Sequence, residues 1–411
     1  MKILFITDNF YPEGNAIASR VYERACFWVK WGYQVTVITS APNFPEGKLY
    51  PGYKNKWFQT EILRGIRVIR VKTFIKSNTG FLFRILDFLS FLPSSFLAGI
   101  RQDKPDVVVT TSPQFFGAIS ACLIAQCKRV PLILELGDIW PQSIVGVGAM
   151  RDSAVIRLLE KIELALYRAS QKIVVVSPSF KDNLVSRGVN EKKIFTVMNG
   201  VDLTKFSPQS RNRSLLQAHD ILPSEFIVGY IGTHGMAHAL ENILKTALLL
   251  QDQKNIRFIF VGAGAEKEKL IALSKNLKLS NVTFISAQPK EKIIHYWSLC
   301  NLALVHFKNS SVFSASIPSK IFEAMGMGLP ILLSSPQGIA SDIIQNEQVG
   351  LWVPAENPND LANAILKLYN DNVLHDTFSK NSLLASKKYS RETQARDFLS
   401  VLNFESTYVT I

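Results

Sequence analysis

"IPSKIFEAMGMGLPILLSS", Ile317–Ser335, reads as a short helix followed by a buried strand. That is half of a βαβ unit, the building block of a parallel sheet covered by helices. The helix nonetheless opens on Pro-Ser-Lys and carries one lone carboxylate, Glu323. A lysine and a glutamate on the first two turns of a mostly apolar unit call for a chemical reason.

The same grammar runs along the chain. "KILFIT", "QVTVIT", "IRVIRV", "DVVVTT", "PLILEL" and "KIVVVS" alternate with amphipathic stretches such as 16–31 and 153–169. A second series follows: "FIVGYIGT", "RFIFVGAG", "NVTFIS", "LALVHF", "PILLSS" and "GLWVPA". Apolar runs with little alternation mean burial on both faces, so the expected fold class is α/β, with two Rossmann-like, doubly wound parallel-sheet domains. At 411 residues the chain is too long for one ordinary core. The turn-rich stretch 198–226 supplies the seam, giving domains at 1–203 and 204–390, with a terminal helix from Arg391 expected to return to the first.

Composition narrows the class. With 47% hydrophobic and 19% charged residues the chain is globular rather than disordered. Cys26, Cys122, Cys127 and Cys300 match no metal spacing and read as reduced, intracellular thiols. "MKILFIT" runs directly into a strand-like segment, so no signal peptide is expected. The most apolar region, 81–100, is interrupted by Arg84, Asp87 and Pro93, short of the ~20 clean residues a membrane span needs. The net charge of +13 asks for an anionic partner. Seven basic residues against one acidic residue between Lys54 and Lys76, followed by Phe81, Phe83, Phe88, Phe91 and Phe96, suit an anionic membrane surface; an ordinary helix packed on its own sheet is the other reading. No nucleic-acid module is present, so nucleic acid is not an expected partner.

Open α/β sheets bind ligands beyond the carboxyl ends of their strands, so the site is expected in strand-end loops, between the two domains. Gly262 and Gly264 in "VGAGAEKEKL" serve either a nucleotide-binding turn or a plain strand-to-helix turn. Thr233, His234 and Gly235 lie in "GYIGTHGMAHALENIL", where a helix is expected from Met236 or Ala237 and its free amides suit a phosphate. His234 and His238 are four apart but lack a third ligand, so no metal is expected; a histidine reaching a phosphate or sugar oxygen is preferred. Gly14 turns the first loop and Asn15 caps the next helix; the adjoining Phe10 and Tyr11 read as packing. Asp138 in "LELGDIWPQS" is either a base or hydroxyl-holding carboxylate or an Asx-turn cap before Pro141. Gln288 and Pro289, after "NVTFIS", are counted with the donor loops.

In the opening stretch, Pro318 fits the first helical turn, Ser316 is a candidate cap, and the Ser319 and Lys320 amides are left free. Glu323 shares a helix face with Ser319, one turn on. A diphosphate at the helix end with ribose hydroxyls on Glu323 is the layout of a nucleotide-sugar site; a Lys320–Glu323 surface pair is the bland alternative.

Together these loops resemble the retaining glycosyltransferases of family 4, whose GT-B fold has two facing Rossmann-like domains. The resemblance spans nearly the whole chain and rests on "YPEGNAIASR", "WGYQVTVIT", "VMNGVDLTKFSP", "FVGAGAEKEKL" and "PSKIFEAMGMGLPIL". "LGDIWPQS" is further similar to the branch that builds O-antigen and capsule repeats, especially its N-acetyl-L-fucosaminyl transferases. The resemblance implies a UDP-sugar donor, an acceptor on a polyprenyl diphosphate, no metal or other cofactor, and work at the inner face of the cytoplasmic membrane. It gives Glu323 to the ribose, Lys320 to the diphosphate and Asp138 to the acceptor hydroxyl. The family's first carboxylate of an E-x7-E pair falls on Ala315, and the loop at Thr233 lacks its basic residue. A UDP-sugar 2-epimerase of the same fold and a non-catalytic nucleotide-sugar-binding subunit are the rival expectations.

Overall fold

A computed structural model of the chain describes residues 1–44, 47–75, 81–112, 115–139 and 154–403. The chain divides into two compact units, one formed by Met1–Asn199 with the stretch from Gln394, the other by Gly200–Thr393. The divisions lie at 199/200 and 393/394 rather than at 203/204 and 390/391. Backbone pairing explains the shift: Val201 N–H donates to Tyr389 O at 2.9 Å and Arg391 N–H to Val201 O at 2.8 Å, tying both crossing segments to the second unit.

The first unit holds an eight-stranded sheet in the order β3-β4-β2-β1-β5-β6-β7-β8. Its strands are β1 (Lys2–Ile6), β2 (Gln34–Ser40), β3 (Phe58–Leu63), β4 (Ile66–Val71), β5 (Val107–Ser112), β6 (Leu132–Leu136), β7 (Lys172–Val175) and β8 (Ile194–Thr196). All neighbours are parallel except β3 and β4, an antiparallel edge hairpin turning at Arg64–Gly65. Every residue of β5 is buried, as a central strand covered on both faces requires. The helix Ala16–Lys30 covers one face with Val21, Ala25 and Trp28. The helix Phe81–Ile100 packs on the other through Phe91 and Ala98. The terminal helix Arg391–Leu402 closes the first face, with Trp28 Nε1 donating to Ala395 O at 2.9 Å and Phe398 against the indole.

A charged girder joins the helix Ala16–Lys30 to the sheet. Glu135, inside β6, accepts from both terminal nitrogens of Arg24 at 2.9 and 2.7 Å, while Arg20 Nε lies 3.1 Å from the same carboxylate. All three are buried, and the Arg24 guanidinium lies 3.9 Å from the Phe398 ring centroid.

The second unit is a six-stranded parallel sheet in the order β11-β10-β9-β12-β13-β14. The strands are β9 (Phe226–Ile231), β10 (Ile256–Val261), β11 (Val282–Ile285), β12 (Leu302–His306), β13 (Ile331–Ser334) and β14 (Gly350–Val353). The strand order reverses between β9 and β12, so the crevice beyond their carboxyl ends is where a doubly wound sheet takes a ligand. The loops leaving β9 and β12 are Gly232–Leu240 and Phe307–Pro318.

Candidate donor site in the second unit

Two glycine turns build the floor. His234 N–H donates to Ala263 O at 2.8 Å and Glu266 N–H to His234 O at 3.0 Å, so the loops after β9 and β10 run against each other like a short ladder. A Cβ on Gly262 would sit 1.9 Å from Gly232 O, and one on Gly264 2.3 Å from His234 O. Both glycines are thus required by the approach of the neighbouring loop, at φ of +155° and +156°.

Above this floor opens a cavity of about 440 Å³. Thr233, Gly262, Gln288, Ser319, Lys320 and Glu323 line it, and so do His238 and Lys290, which the sequence argument did not place there. Pro289 instead caps the helix Lys290–Trp297, and Gly264 lies in the loop ladder. Gly235 faces a neighbouring hollow with Met236 and Glu241.

The sequence expectation of a helix from Met236 or Ala237 is corrected. Met236–His238 is a single 3-10 turn, Ala239 adopts the left-handed conformation at φ +42°, and the helix starts only at Glu241. His234 also departs from its expected role. Its ring is fully buried among Tyr230, Phe260 and Phe284, with centroids 6.0 to 6.3 Å apart. Neither of its ring nitrogens has a hydrogen-bond partner. Burial first, then Lys267, Lys320 and His238, pushes its pKa down to about 4, leaving a neutral imidazole.

The histidine at the cavity wall is His238. Its Nδ1 lies 3.2 Å from His306 O, and His306 Nδ1 lies 2.8 Å from His238 O, a reciprocal pair that requires a proton on each Nδ1. His306 Nε2 accepts from Asn242 at 2.9 Å, and the neutral His238, with its proton on Nδ1, likewise carries none on Nε2. Burial, with Lys320 nearby, pushes both imidazoles down to about 4.

The helix Ser319–Gly326 supplies the opposite wall. Pro318 occupies the cap position rather than the first turn, and Ser316 is spent on a turn, its N–H donating to Phe313 O. No side chain caps the helix, so the Ser319 and Lys320 amides remain open to an anion. The Lys320 ammonium lies 3.9 Å from the Tyr230 ring centroid. It also fills the space a Cβ on Gly232 would need, 2.6 Å away. A cation over an aromatic face gains about 0.5–2 kcal/mol. Burial nevertheless lowers its pKa to about 7, with Glu323 opposing. Tyr230 is itself buried, and its hydroxyl donates to Thr233 O at 2.8 Å.

Glu323, one turn on, accepts from Trp297 Nε1 at 3.2 Å. Burial raises its pKa, and Trp297, Lys290, Lys320 and Arg391 pull the other way. Lys320 and Glu323 make no ion pair, so the surface-pair reading is set aside. Among the described residues no cluster of three or more histidine, cysteine, aspartate or glutamate side chains is arranged for a metal.

The remaining candidates lie in the first unit, at the carboxyl ends of its strands. Asn15 caps the helix Ala16–Lys30, accepting from Ala18 N–H at 2.8 Å, and a Cβ on Gly14 would meet open space. Phe10 is buried and Tyr11 stacks on Tyr22 at 4.4 Å, both packing. Asp138 accepts from Ile139 N–H at 2.8 Å, an Asx-type contact, next to Gly137, where a Cβ would meet the Arg20 guanidinium at 2.8 Å. Trp140, Pro141 and Ser143 lie outside the described residues. Sequence reading missed Glu13, buried after β1, whose carboxylate accepts from the Asn43 and Phe44 amides at 2.8 and 2.9 Å and anchors the loop after β2.

Two Rossmann-like parallel-sheet units, the second with uncapped helix amides beyond its strand ends, make the GT-B fold. Family models agree along the chain: Glycosyltransferase Family 4 matches residues 17–205 and Glycosyl transferases group 1 matches 201–384. The chain belongs to the group 1/family 4 glycosyltransferases. It is 24% identical over 335 residues to WcaI of Escherichia coli (strain K12), provisionally named a colanic acid biosynthesis glycosyl transferase, covering 80% of this chain and 82% of that one. Among solved structures, sucrose-phosphate synthase from Thermosynechococcus elongatus superposes with a TM-score of 0.74 at 18% identity, over 98% of both chains. HepE of Anabaena, in complex with UDP-glucose, superposes at 0.68 with 15% identity, over 98% of this chain and 99% of that one.

Proposed function

We propose that the protein is a retaining, metal-independent transferase that moves an amino sugar, of the N-acetyl-L-fucosamine type, from a UDP-sugar to a saccharide on a polyprenyl diphosphate. The product belongs to a bacterial surface polysaccharide, O-antigen or capsule. The observation that carries this reading is the pairing of uncapped amides at Ser319 and Lys320 with Glu323 one turn beyond, on one cavity wall. The amides and Lys320 receive the diphosphate, and Glu323 receives the ribose hydroxyls. The relative associated with colanic acid and the UDP-glucose complex of HepE support the substrate class.

In the proposed reaction the acceptor oxygen attacks the anomeric carbon while the bond to the β-phosphate oxygen breaks. UDP leaves with the bonding electrons, and the acceptor proton passes to the departing phosphate. The developing charge falls on the helix end, where fixed donors count most. Asp138 orients the acceptor hydroxyl. Membrane association is supported by the first unit. Leu86, Leu89 and Leu97 are exposed on the helix Phe81–Ile100, and Trp57 and Ile62, at 62% and 65% exposure, stand by Lys72 and opposite Arg67. No described helix is long and apolar enough to cross a membrane.

The test is a thermal-shift screen against UDP, GDP, ADP and NAD, with and without Mg²⁺, followed by UDP release with acceptor lipid. A ligand at ~100 times its Kd adds about 2.7 kcal/mol. Stabilisation by UDP without Mg²⁺ is expected; stabilisation by NAD alone refutes the reading. A second reading, a non-catalytic nucleotide-sugar-binding subunit, is favoured by Ala315, an apolar residue closing the 3-10 turn Ser311–Ala315. It predicts UDP binding with no UDP released from the donor.

A further inference from the structure

The wall of the donor cavity is crowded with bases. Lys320 comes from the helix end, His238 from the loop after β9, and Lys290 from the helix Lys290–Trp297. Behind them His234 lies against Tyr230 and His306 against His238, with Lys267 beside His234. One carboxylate, Glu323, lines the cavity, and it is already held by Trp297 and faced by Lys290 and Arg391.

Among the groups lining the cavity, the Lys320 amine has no hydrogen-bond or ion-pair acceptor. It lies on the Tyr230 ring and against the Gly232 backbone, makes no ion pair, and gains no acceptor from the Tyr230 hydroxyl, which donates to Thr233 O. Next to it, His238 presents an unprotonated Nε2. Burial first, and then the like charges around them, lowers the basicity of His234, His238 and His306, and burial lowers that of Lys320. A diphosphate at the uncapped helix end acts against that lowering.

We infer that a nucleoside diphosphate enters this cavity together with a proton, taken up by the Lys320 amine with His238 as its neighbouring reserve. The Lys320 amine is thereby an ammonium once the diphosphate is in place. The inference rests on the donor-site reading given above. The lowered basicity of Lys320, near neutrality in the empty site, agrees with it. Its consequence is that the charge is delivered where the departing diphosphate accumulates negative charge, and is given back on release.

The test is isothermal titration of the full chain with UDP at pH 7.5 in HEPES and in Tris, whose ionisation enthalpies differ. A free amine titrating near pH 7 takes up about three-quarters of a proton at this pH. The apparent Kd should weaken about 50-fold from pH 7 to pH 9, as the competent protonated fraction falls. The phosphate's own second ionisation, at about pH 6, is complete over that range. Lys320→Arg, whose charge is permanent, should bind UDP without uptake and with a Kd flat in pH; Lys320→Met should bind more weakly, also without uptake. UDP binding by the wild type with equal heats in both buffers and a flat Kd overturns the proton coupling and leaves the donor-site reading standing. Uptake that persists in both variants overturns the assignment to Lys320. Absence of binding by UDP, GDP and ADP overturns the donor-site reading and this inference with it.

Discussion

Glu323→Gln separates what a buried carboxylate costs the fold from what it gives the ligand. Glutamine keeps the volume, and its carbonyl oxygen still accepts from Trp297 Nε1, now 3.2 Å from the carboxylate. The carboxyl pKa is raised in the folded chain, so ionised Glu323 opposes folding. The penalty is absent below the unfolded pKa, grows as pH rises past it, and is full above the folded value. At pH 7.5 the variant without ligand should therefore melt at or above the wild-type temperature. Binding should move the opposite way. A charge-assisted hydrogen bond contributes about 1.5–3 kcal/mol net, so losing the carboxylate weakens the nucleotide by about 10- to 150-fold. The assay is titration with UDP and with uridine. Because the carboxylate is assigned to the ribose, both should lose the same factor. A loss for UDP with none for uridine would mean that Glu323 acts through Lys320 and the phosphates, and the ribose assignment would fall.

Gly262→Ala forces a methyl to 1.9 Å from Gly232 O; overpacking of this kind costs about 1–3 kcal/mol, and the displaced loop should weaken UDP binding at least tenfold in the same titration. Arg24→Met leaves Glu135 without its two-pronged partner inside the first unit. Breaking such a pair costs about 3–5 kcal/mol, so calorimetry should show melting lowered by roughly 10 °C, and a change under 2 °C refutes the girder. Asp138→Ala should lower the rate of UDP release with acceptor and leave UDP affinity unchanged; unaltered turnover removes its acceptor role. Trp57→Glu with Ile62→Glu should reduce sedimentation with anionic vesicles by about tenfold and leave melting unchanged, since both side chains are largely exposed.

Fold was legible wherever burial was two-sided. The four inner strands of the second unit were read from their apolar runs, as were its half-buried edge strands β11 and β14. β3, "FQTEIL", was not: it is an edge strand with exposed Phe58, Thr60 and Ile62, so its pattern is half polar and its order is set by the hairpin with β4. β8, three residues long, is too short for any periodicity. In the site, Lys320 and Glu323 were visible because charge is conspicuous in an apolar unit. His238 was visible only as one of a pair with His234, and sequence favoured the other member. What separates them is the left-handed Ala239 and the ladder with Ala263, which turn one ring inward and the other to the cavity. Glu135 and Arg24 could have been suspected, since a glutamate inside "LILEL" must find a cation; nothing local says that the cation lies 111 residues earlier.

The last helix has a consequence for how the molecule is made. Residues 200–393 form an insertion whose two ends lie side by side, Val201 bridged to Ser390. On the ribosome the inserted unit is finished first. The cluster of Phe5, Trp28 and Phe398 stays open until the helix Arg391–Leu402 has been made, because the first unit takes that closing wall from beyond the inserted one. The unit that begins the chain is therefore completed only after the inserted one, and a lesion that removes Gln394–Leu402 leaves the apolar face around Trp28 exposed to quality control.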